Sequence, residues 1–517
     1  ISIPLESVYS DTTPSFLGYY FGNSNYEDTW NLAKSLKYIE ILEGIEHVPD
    51  YAFYGAKNVE QITFSEGLLS IGDYSFAGRH GSEMKLTEIT MPNNNIEQIG
   101  EFAFYACNKI ESLDIGENIE TVGDFAFEGC QSLKEMSLPS AQDVGRAIFR
   151  NCLSLEEITV PLKEEYHQET NSYLLYYFQD NLGYTGFWAD IVSADLKTIN
   201  ISSALTKVPD FAFWGFNIVE YINFQNTITE IGTQAFSDNS SLKEIALPEG
   251  LTKISDSAFY MCKSLKNIYL PSSILNVGTA AFDGCSSLER VEFAPQSLPA
   301  AIGARAFNKC QSLEYINIPD NSIYEIRDET FKDCSSLLQI DLPKGIQYIR
   351  GFAFESSGLL SINIPFTVLE LGIAAFRNCQ SLLEINFDYE LSRLRKIDFQ
   401  TFMGCLALEQ LIIPESVLEI VNETFNDCIS LREVYVLREY NWKAPSYVTM
   451  ATRLNAETVF ENCHDDLTIY VPKNNAGIVE DGVPHPDARN GVTEYKKWFG
   501  WTNYADRIFA IPDGWEY

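Results

Sequence analysis

The sequence predicts a β-rich solenoid in which parallel sheets are stacked along an elongated right-handed superhelix. Each of the eleven cysteines lies three residues after a phenylalanine. These pairs recur about every 23 residues along most of the chain. Each copy also repeats one apolar pattern that is too short to bury its own faces. Stacked copies bury them against one another, so the repeat itself predicts the solenoid.

The alignment is made on this phenylalanine, which we call the repeat Phe. Five further copies keep the phenylalanine without the cysteine, which brings the number of copies to sixteen. The repeat Phe residues are Phe53, Phe76, Phe104, Phe127, Phe149, Phe213, Phe236, Phe259, Phe282, Phe307, Phe331, Phe354, Phe376, Phe402, Phe425 and Phe460.

One regular copy, residues 251–273, shows what each part of the repeat predicts. Its Leu265-x-x-Ile268-x-Leu270 stretch ends in period-two alternation, which predicts a short strand with one buried face. The preceding segment has apolar residues every three positions, which predicts a tight helical or 3₁₀ turn. Pro271 has no backbone donor and marks the place where sheet pairing stops.

The cysteines are expected to be reduced and buried. Cysteines in one ladder point the same way, whereas a disulfide requires side chains aimed at each other. An odd number of cysteines argues against a complete disulfide framework, and no C-x-x-C pair indicates a metal site. We therefore interpret them as small apolar residues of the core.

The repeat resembles the BspA-like leucine-rich repeat family. The pattern F-x-x-C-x-x-L-x-x-I-x-L-P, preceded by I-G-x-x-A-F, is matched well by residues 99–107 and 231–236, and the resemblance covers roughly residues 36 to 472. It implies a leucine-rich-repeat solenoid with short helical or 3₁₀ turns and irregular terminal caps. It also implies a bacterial or protist surface protein with an adhesin role, including binding to host matrix proteins.

The departures from the repeat predict five segments. Residues 1–35 are an amino-terminal cap with an atypical aromatic rung, and 36–161 are a first repeat block. Residues 162–195 are an insertion that duplicates the aromatic rung, 196–472 are a second repeat block, and 473–517 are a carboxy-terminal cap. The duplication rests on Y-Y-F segments that stand 32 and 35 residues before a repeat Phe in two otherwise similar stretches.

The aromatic segments leave an alternative function open. Tyr20, Tyr177 and Trp188 could form sugar-stacking platforms of a carbohydrate-binding surface module. The competing interpretation is that these rings cover the core of an irregular rung.

The net charge of −36, from 72 acidic and 36 basic residues, argues against nucleic acid and anionic membrane surfaces as partners. No apolar run is long enough to insert in a membrane. The chain begins Ile1-Ser2-Ile3 without a signal segment, as expected of a processed or trimmed chain. An extracellular or cell-surface location is implied by the family resemblance alone.

Ligand contacts are expected from the residues eight and ten positions after the repeat Phe, which face outward on the presumed concave sheet. The middle of this array carries three tyrosines and its single basic residue. The ordinary alternative is a solvated sheet face. The candidate ligand-binding residues are Tyr221, Asn223, Asn267, Tyr269, Arg290, Glu292, Tyr315 and Asn317.

No catalytic pattern is recognised. The five histidines are scattered, and no nucleophile elbow, phosphate loop or dinucleotide fingerprint occurs. We expect a non-enzymatic protein-binding solenoid without cofactor or catalytic metal, which binds a host extracellular or matrix protein.

Overall fold

The structure is a computed structural model of the 517-residue chain. It describes residues 2–3, 35–42, 45–78, 84–91, 95–162, 173–179, 192–295, 300–320, 323–388, 391–438, 453–454, 458–472, 479–480, 483–484 and 501–512. The chain divides into two compact units, unit 1 over residues 1–248 and unit 2 over residues 249–517. Each unit is a stack of parallel-stranded rungs, which confirms the predicted leucine-rich-repeat solenoid.

Most repeat copies contain a principal strand after the repeat Phe turn. Its central apolar residue is buried, and the residues beside it are mostly half-buried or exposed, as in Asn267–Leu270. The strands Ser2–Ile3, Tyr38–Ile41, Thr198–Ile201 and Ile508–Ala510 extend the same sheets. In unit 1 the principal strands are Ser2–Ile3, Tyr38–Ile41, Gln61–Thr63, Glu88–Thr90, Glu135–Ser137, Glu157–Val160, Thr198–Ile201 and Tyr221–Asn223. In unit 2 they are Asn267–Leu270, Arg290–Phe293, Tyr315–Asn317, Ser361–Ile364, Glu384–Phe387, Gln410–Ile413, Glu433–Val436, Thr468–Val471 and Ile508–Ala510.

A second series of two-residue strands was not predicted from the sequence. It lies just before the repeat Phe turn and forms separate parallel ladders. In unit 1 these short strands are His47–Val48, Ser70–Ile71, Gln98–Ile99, Thr121–Val122, Asp143–Val144, Lys207–Val208 and Glu230–Ile231. In unit 2 they are Lys253–Ile254, Asn276–Val277, Ala301–Ile302, Glu325–Ile326, Tyr348–Ile349, Glu370–Leu371, Lys396–Ile397, Glu419–Ile420 and Arg453–Leu454. Unit 2 also contains an antiparallel pair of strands, Val479–Glu480 and Val483–Pro484.

The repeat Phe turn is built from i to i−3 hydrogen bonds and left-handed residues. In the rung of Phe259, the Tyr260 N–H donates to Ser257 O and the Cys262 N–H donates to Phe259 O. In all but one of the rungs, the residue two positions before the repeat Phe has positive φ, as at Ser257 with φ 54°. This geometry turns alternate N–H groups toward the next rung, where the Phe259 N–H donates to Ala281 O at 2.8 Å. Tight turns were predicted here, and their hydrogen bonds run both within a rung and between rungs.

The repeat Phe rings form the centre of the core. In unit 2 the rings from Phe259 to Phe460 stack in one continuous column, with centroids 5.1–5.7 Å apart and planes within 14° of parallel. Unit 1 has a similar column from Phe53 to Phe149. Stacked rings in register fix the position of each rung relative to the next one.

The glycine of the I-G-x-x-A-F pattern lies at a close approach between two rungs. A Cβ added to Gly100 would lie 2.4 Å from Asp73 Oδ1 and 2.6 Å from the Asp73 nitrogen. The same carboxylate oxygen accepts the Glu101 N–H at 2.7 Å. The pattern therefore combines a glycine that permits the approach with an aspartate that caps the neighbouring rung.

Among the described residues, two 3₁₀ helices lie outside the regular rungs. The first, Tyr173–Tyr177, accepts the N–H groups of Ala147 and Phe149 and so takes the place of a repeat Phe turn. The second, Trp501–Arg507, buries Trp501 and leads into the strand Ile508–Ala510, which pairs with the principal strand Thr468–Val471.

Candidate binding surface

Six of the eight candidate residues come together on one three-stranded sheet of unit 2. The strands Asn267–Leu270, Arg290–Phe293 and Tyr315–Asn317 pair in parallel. Their register places Asn267, Arg290 and Tyr315 in one row, and Tyr269, Glu292 and Asn317 in the next row.

Arg290 is the centre of this group. Its guanidinium carbon lies 4.0 Å from the centroid of the Tyr315 ring, and its Nε donates to Glu292 Oε1 at 2.7 Å. A second guanidinium nitrogen also donates to Glu292. The stacking and the ion pair together hold an exposed arginine in one orientation, which lowers the side-chain entropy that binding must remove.

The six residues differ in what they offer to a ligand. Tyr269 and Tyr315 are 46% and 41% exposed, so each presents a large part of its ring to solvent. Asn267 is also exposed. Asn317 is engaged instead with the preceding rung, since its Oδ1 accepts the Phe293 N–H at 2.7 Å and its Nδ2 donates to Phe293 O at 3.1 Å. The geometry thus gives Asn317 a structural role, which the alternation of the sequence does not reveal.

Tyr221 and Asn223 lie in unit 1, on the strand Tyr221–Asn223. The Asn223 amide donates to Asn200 Oδ1 at 2.9 Å, and the Asn200 amide donates to Glu157 Oε1 at 2.6 Å. These side chains form a polar ladder along the principal strands of unit 1. Lys243 lies over the Tyr221 ring at 5.9 Å.

The aromatic segment of the insertion belongs to the core where the structure describes it. Tyr177 is 1% exposed and donates its hydroxyl to Pro161 O at 2.7 Å, and Phe178 is fully buried against Phe149. Tyr177 therefore presents no ring to a sugar, and this part of the alternative function was wrong. Tyr20 and Trp188 lie outside the described residues.

The cysteines are free thiols, and all but the half-buried Cys463 are buried, as predicted. Burial raises the pKa of the Cys130 and Cys379 thiols to about 12, so they stay protonated at neutral pH. The sequence did not reveal that at least ten of the eleven thiols donate to a backbone carbonyl at 3.1–3.3 Å, in each case that of the repeat Phe one rung earlier. Their burial makes these thiols unsuitable as nucleophiles.

The described residues contain no group of three or more His, Cys, Asp or Glu side chains arranged to bind a metal ion. Within the same ranges, no helix has the length and apolar character needed to cross a membrane.

The family is decided by a match along most of the chain. The model of the BspA type leucine-rich repeat region matches six copies, over residues 26–156, 192–289 and 300–432. The chain belongs to this family. BspA-type repeats are generally non-enzymatic, and leucine-rich repeat folds commonly bind proteins on their extended surfaces.

Several solved structures resemble this BspA-type chain. A leucine-rich repeat protein from Bacteroides ovatus is 21% identical, with 92% of each chain covered and a TM-score of 0.34. A leucine-rich cell surface protein from Faecalibacterium prausnitzii is 19% identical, with 80% of this chain and 87% of that chain covered and a TM-score of 0.28. The pneumococcal vaccine antigen PcpA is 15% identical, with 85% of each chain covered and a TM-score of 0.26. No curated protein matches the chain.

Proposed function

We propose that this chain is a non-enzymatic, cell-surface or secreted adhesion module that binds a host or matrix protein through the outer face of its principal strands. The observation that carries the proposal is the Arg290–Tyr315 pair with Tyr269 in the adjacent row. Tyrosine and arginine dominate the energetics of protein interfaces, and here they are exposed on a rigid sheet. Family membership supports the class of function, and the cell-surface description of the Faecalibacterium relative supports the location.

Unit 2 also provides a control for Arg290, because Arg350 stacks on a tyrosine and pairs with a glutamate outside the principal strands. The Arg350 guanidinium lies 4.3 Å from the centroid of the Tyr348 ring and also pairs with Glu325 at 2.9 Å. Arg350→Glu therefore removes a cation–π contact of the same kind as Arg290→Glu does, and it changes the net charge by the same amount. It does so outside the principal strands, directly after the short strand Tyr348–Ile349.

The test begins with binding of the full chain to a panel of purified extracellular matrix proteins and to a glycan array. For a protein that binds, Arg290→Glu is expected to weaken binding by about 30-fold or more, the loss typical of an interface hot spot, and Tyr269→Ala is expected to weaken it as well. Arg350→Glu should bind like the parent chain.

Two results would count against the proposal. Parent-like binding of both Arg290→Glu and Tyr269→Ala would exclude this site while leaving the class of function in place. Binding to glycans with no protein bound would contradict the class itself.

A further inference from the structure

A second surface lies on the repeat Phe turns of unit 1, apart from the principal strands. Four consecutive rungs carry an aromatic residue two positions before the repeat Phe, and we call these residues the ring ladder. The ring ladder consists of Tyr51, Tyr74, Phe102 and Phe125, stacked with successive centroids 5.0, 4.9 and 4.7 Å apart.

The ring ladder is accessible along one side. Tyr51 is 40% exposed, Tyr74 and Phe102 are half-buried, and Phe125 is buried at the end. Because the rings stack face to face, they offer their edges to solvent rather than their faces. Such a surface is unsuited to stacking on sugars, which need an open ring face, but it suits aliphatic chains.

The ring ladder occupies positions with a left-handed backbone. The φ angles of Tyr51, Tyr74, Phe102 and Phe125 lie between 53° and 58°. Glycine and asparagine suit such positions best, whereas a bulky side chain is disfavoured there by hard-sphere contacts. Four aromatic residues in succession are therefore not a consequence of the turn geometry.

A line of acidic residues runs beside the rings, one position earlier in each rung. This carboxylate column consists of Asp50, Asp73, Glu101 and Asp124. Burial, and then the negative charges of Asp73 and Asp50, raise the pKa of the Tyr51 phenol. Among the described residues, no lysine or arginine forms an ion pair with Asp50, Asp73 or Glu101.

The end of the ladder shows how a cation uses both features. Arg146 lies over the Phe125 ring, with its guanidinium carbon 5.4 Å from the ring centroid. Its Nε also donates to Asp124 Oδ2 at 3.1 Å. Arg146 therefore satisfies the last carboxylate and packs on the last ring at the same time, and the three rungs before it repeat the arrangement without the arginine.

The carboxylates of the column also bond to the next rung. Asp50 Oδ1 accepts the Asp73 N–H at 2.8 Å, as Asp124 Oδ1 accepts the Arg146 N–H at 3.0 Å. Their unit 2 counterparts, Asp256 and Asp328, make the same backbone contact, but Ser257 and Glu329 stand there in place of the aromatic residues. The stacked rings beside the carboxylates therefore distinguish these unit 1 turns, and Arg146 shows the cation that the combination accepts.

We propose that the ring ladder and carboxylate column form a docking surface for an extended protein segment rich in lysine or arginine. The aliphatic stems of the basic side chains lie on the ring edges, and their charged ends reach the carboxylates. A second copy of this chain is disfavoured as the occupant because the net charge is −36.

The probe is a fluorescein-labelled peptide of eight lysines, compared with its arginine counterpart and with the fully acetylated lysine peptide. Fluorescence anisotropy measures binding to the full chain near 150 mM salt. The lysine and arginine peptides are expected to bind, and the acetylated peptide is not. Failure of both cationic peptides to bind, or equal binding of the acetylated one, overturns the proposal.

Matched variants separate the surface from the general negative field of the protein. Asp73→Asn keeps the oxygen that accepts the Glu101 N–H and removes one charge, and Asp256→Asn does the same in unit 2, where Oδ1 accepts the Thr279 N–H. Asp73→Asn is expected to weaken binding about three- to fivefold, and Asp256→Asn less than twofold. Equal effects of the two substitutions overturn the proposal.

A second pair of variants tests the rings without changing the charge. Tyr51→Leu removes the most exposed ring, and Phe211→Leu makes a matched change at the same turn position of another unit 1 rung, with φ 60°. Tyr51→Leu should weaken binding severalfold and Phe211→Leu should not. Because Tyr51 is exposed at one end of the stack, this variant is expected to fold. Equal binding by the two variants overturns the role of the rings.

Discussion

The thiols provide a prediction that separates two possible roles of the repeat cysteine, as a hydrogen-bond donor or only as a small apolar group. Cys428 is fully buried, and its Sγ donates to Phe402 O at 3.1 Å. That carbonyl also accepts the Cys405 N–H at 3.2 Å, so the thiol fills its second lone pair. In a rung without cysteine, the buried Asn239 amide donates to Phe213 O at 2.8 Å. Asparagine therefore supplies the donor of this rung in place of the thiol, whereas Ala56 and Phe216, at the same position of the Phe53 and Phe213 rungs, are buried without a donor.

Three substitutions of Cys428 are expected to rank differently in stability if the thiol acts as a donor than if it is only an apolar group. Ala removes a sulfur-sized group and the hydrogen bond, a loss of about 2 kcal/mol in free energy of unfolding. Val removes the donor and adds a methyl group to a packed core, a loss of at least about 2 kcal/mol. Ser loses apolar contact but keeps a donor within reach of the carbonyl, a loss of about 1 kcal/mol. If the position were only apolar, Ser would be the worst of the three because its hydroxyl would be buried without a partner.

The measurement is urea unfolding followed by circular dichroism, with hydrogen exchange of the backbone near Phe402 and Cys428. The local readout is needed because the stability of a repeat protein is a sum over rungs and their interfaces. A serine variant that is less stable than the alanine variant would refute the donor role. The same comparison at Cys152, whose Sγ donates to Phe127 O at 3.1 Å, repeats the test in unit 1.

Three further predictions follow from the turns and the thiols. Gly123→Ala places a Cβ 2.5 Å from the Glu101 nitrogen, so thermal unfolding should show a loss of several kcal/mol in stability. Gly351→Ala, whose Cβ would have its nearest contact at 3.1 Å, should lose little stability. Equal losses for the two variants would contradict the close approach. Lys309→Gly removes the backbone strain of an exposed residue with φ 58°, so it should raise the free energy of unfolding by about 1 kcal/mol in urea titrations. A lower free energy of unfolding would show that the lysine side chain contributes more than the strain costs. Folding raises the pKa of Cys130 from 9.0 to about 12, so its stabilising contribution is complete below pH 9 and is lost as the pH rises toward 12, by about 1.4 kcal/mol per unit. Urea midpoints between pH 8 and 11 should therefore fall less steeply for Cys130→Ser than for the parent, and identical slopes would refute this.

The principal strands could be located from the sequence because a period of about 23 residues and one buried alternation determine them. In three rungs the structure keeps that alternation without a regular strand. At Ser112 and Asp114, for example, the flanking residues are exposed around the buried Leu113. The short strands were missed because two residues are too few to show periodicity, and the following glycine resembles a turn signal. The aligned register alone brings Arg290 next to Tyr315.

Other parts of the surface depend on contacts that no pattern in one rung reveals. The role of Asn317 depends on the backbone position of Phe293 in the preceding strand. The ring ladder could have been found, because its residues all stand two positions before a repeat Phe. The candidate positions eight and ten residues after the repeat Phe do not include it, because the rings lie in the turn before that phenylalanine.

The register of the core explains how one fold can carry two different surfaces. The stacked repeat Phe rings and the thiol-to-carbonyl hydrogen bonds are repeated from rung to rung. They fix the distance between neighbouring rungs whichever residues are exposed at the surface. Any position of the repeat then becomes a row of side chains about 5 Å apart, the distance between neighbouring strands. In unit 2 such rows place Arg290 on Tyr315, and in unit 1 they place aromatic rings beside carboxylates. Some members of these rows also bond to the neighbouring rung, as Asn317 and Asp73 do. Substitutions that keep those bonds, such as Asp73→Asn, are therefore the ones that can change binding without changing the fold.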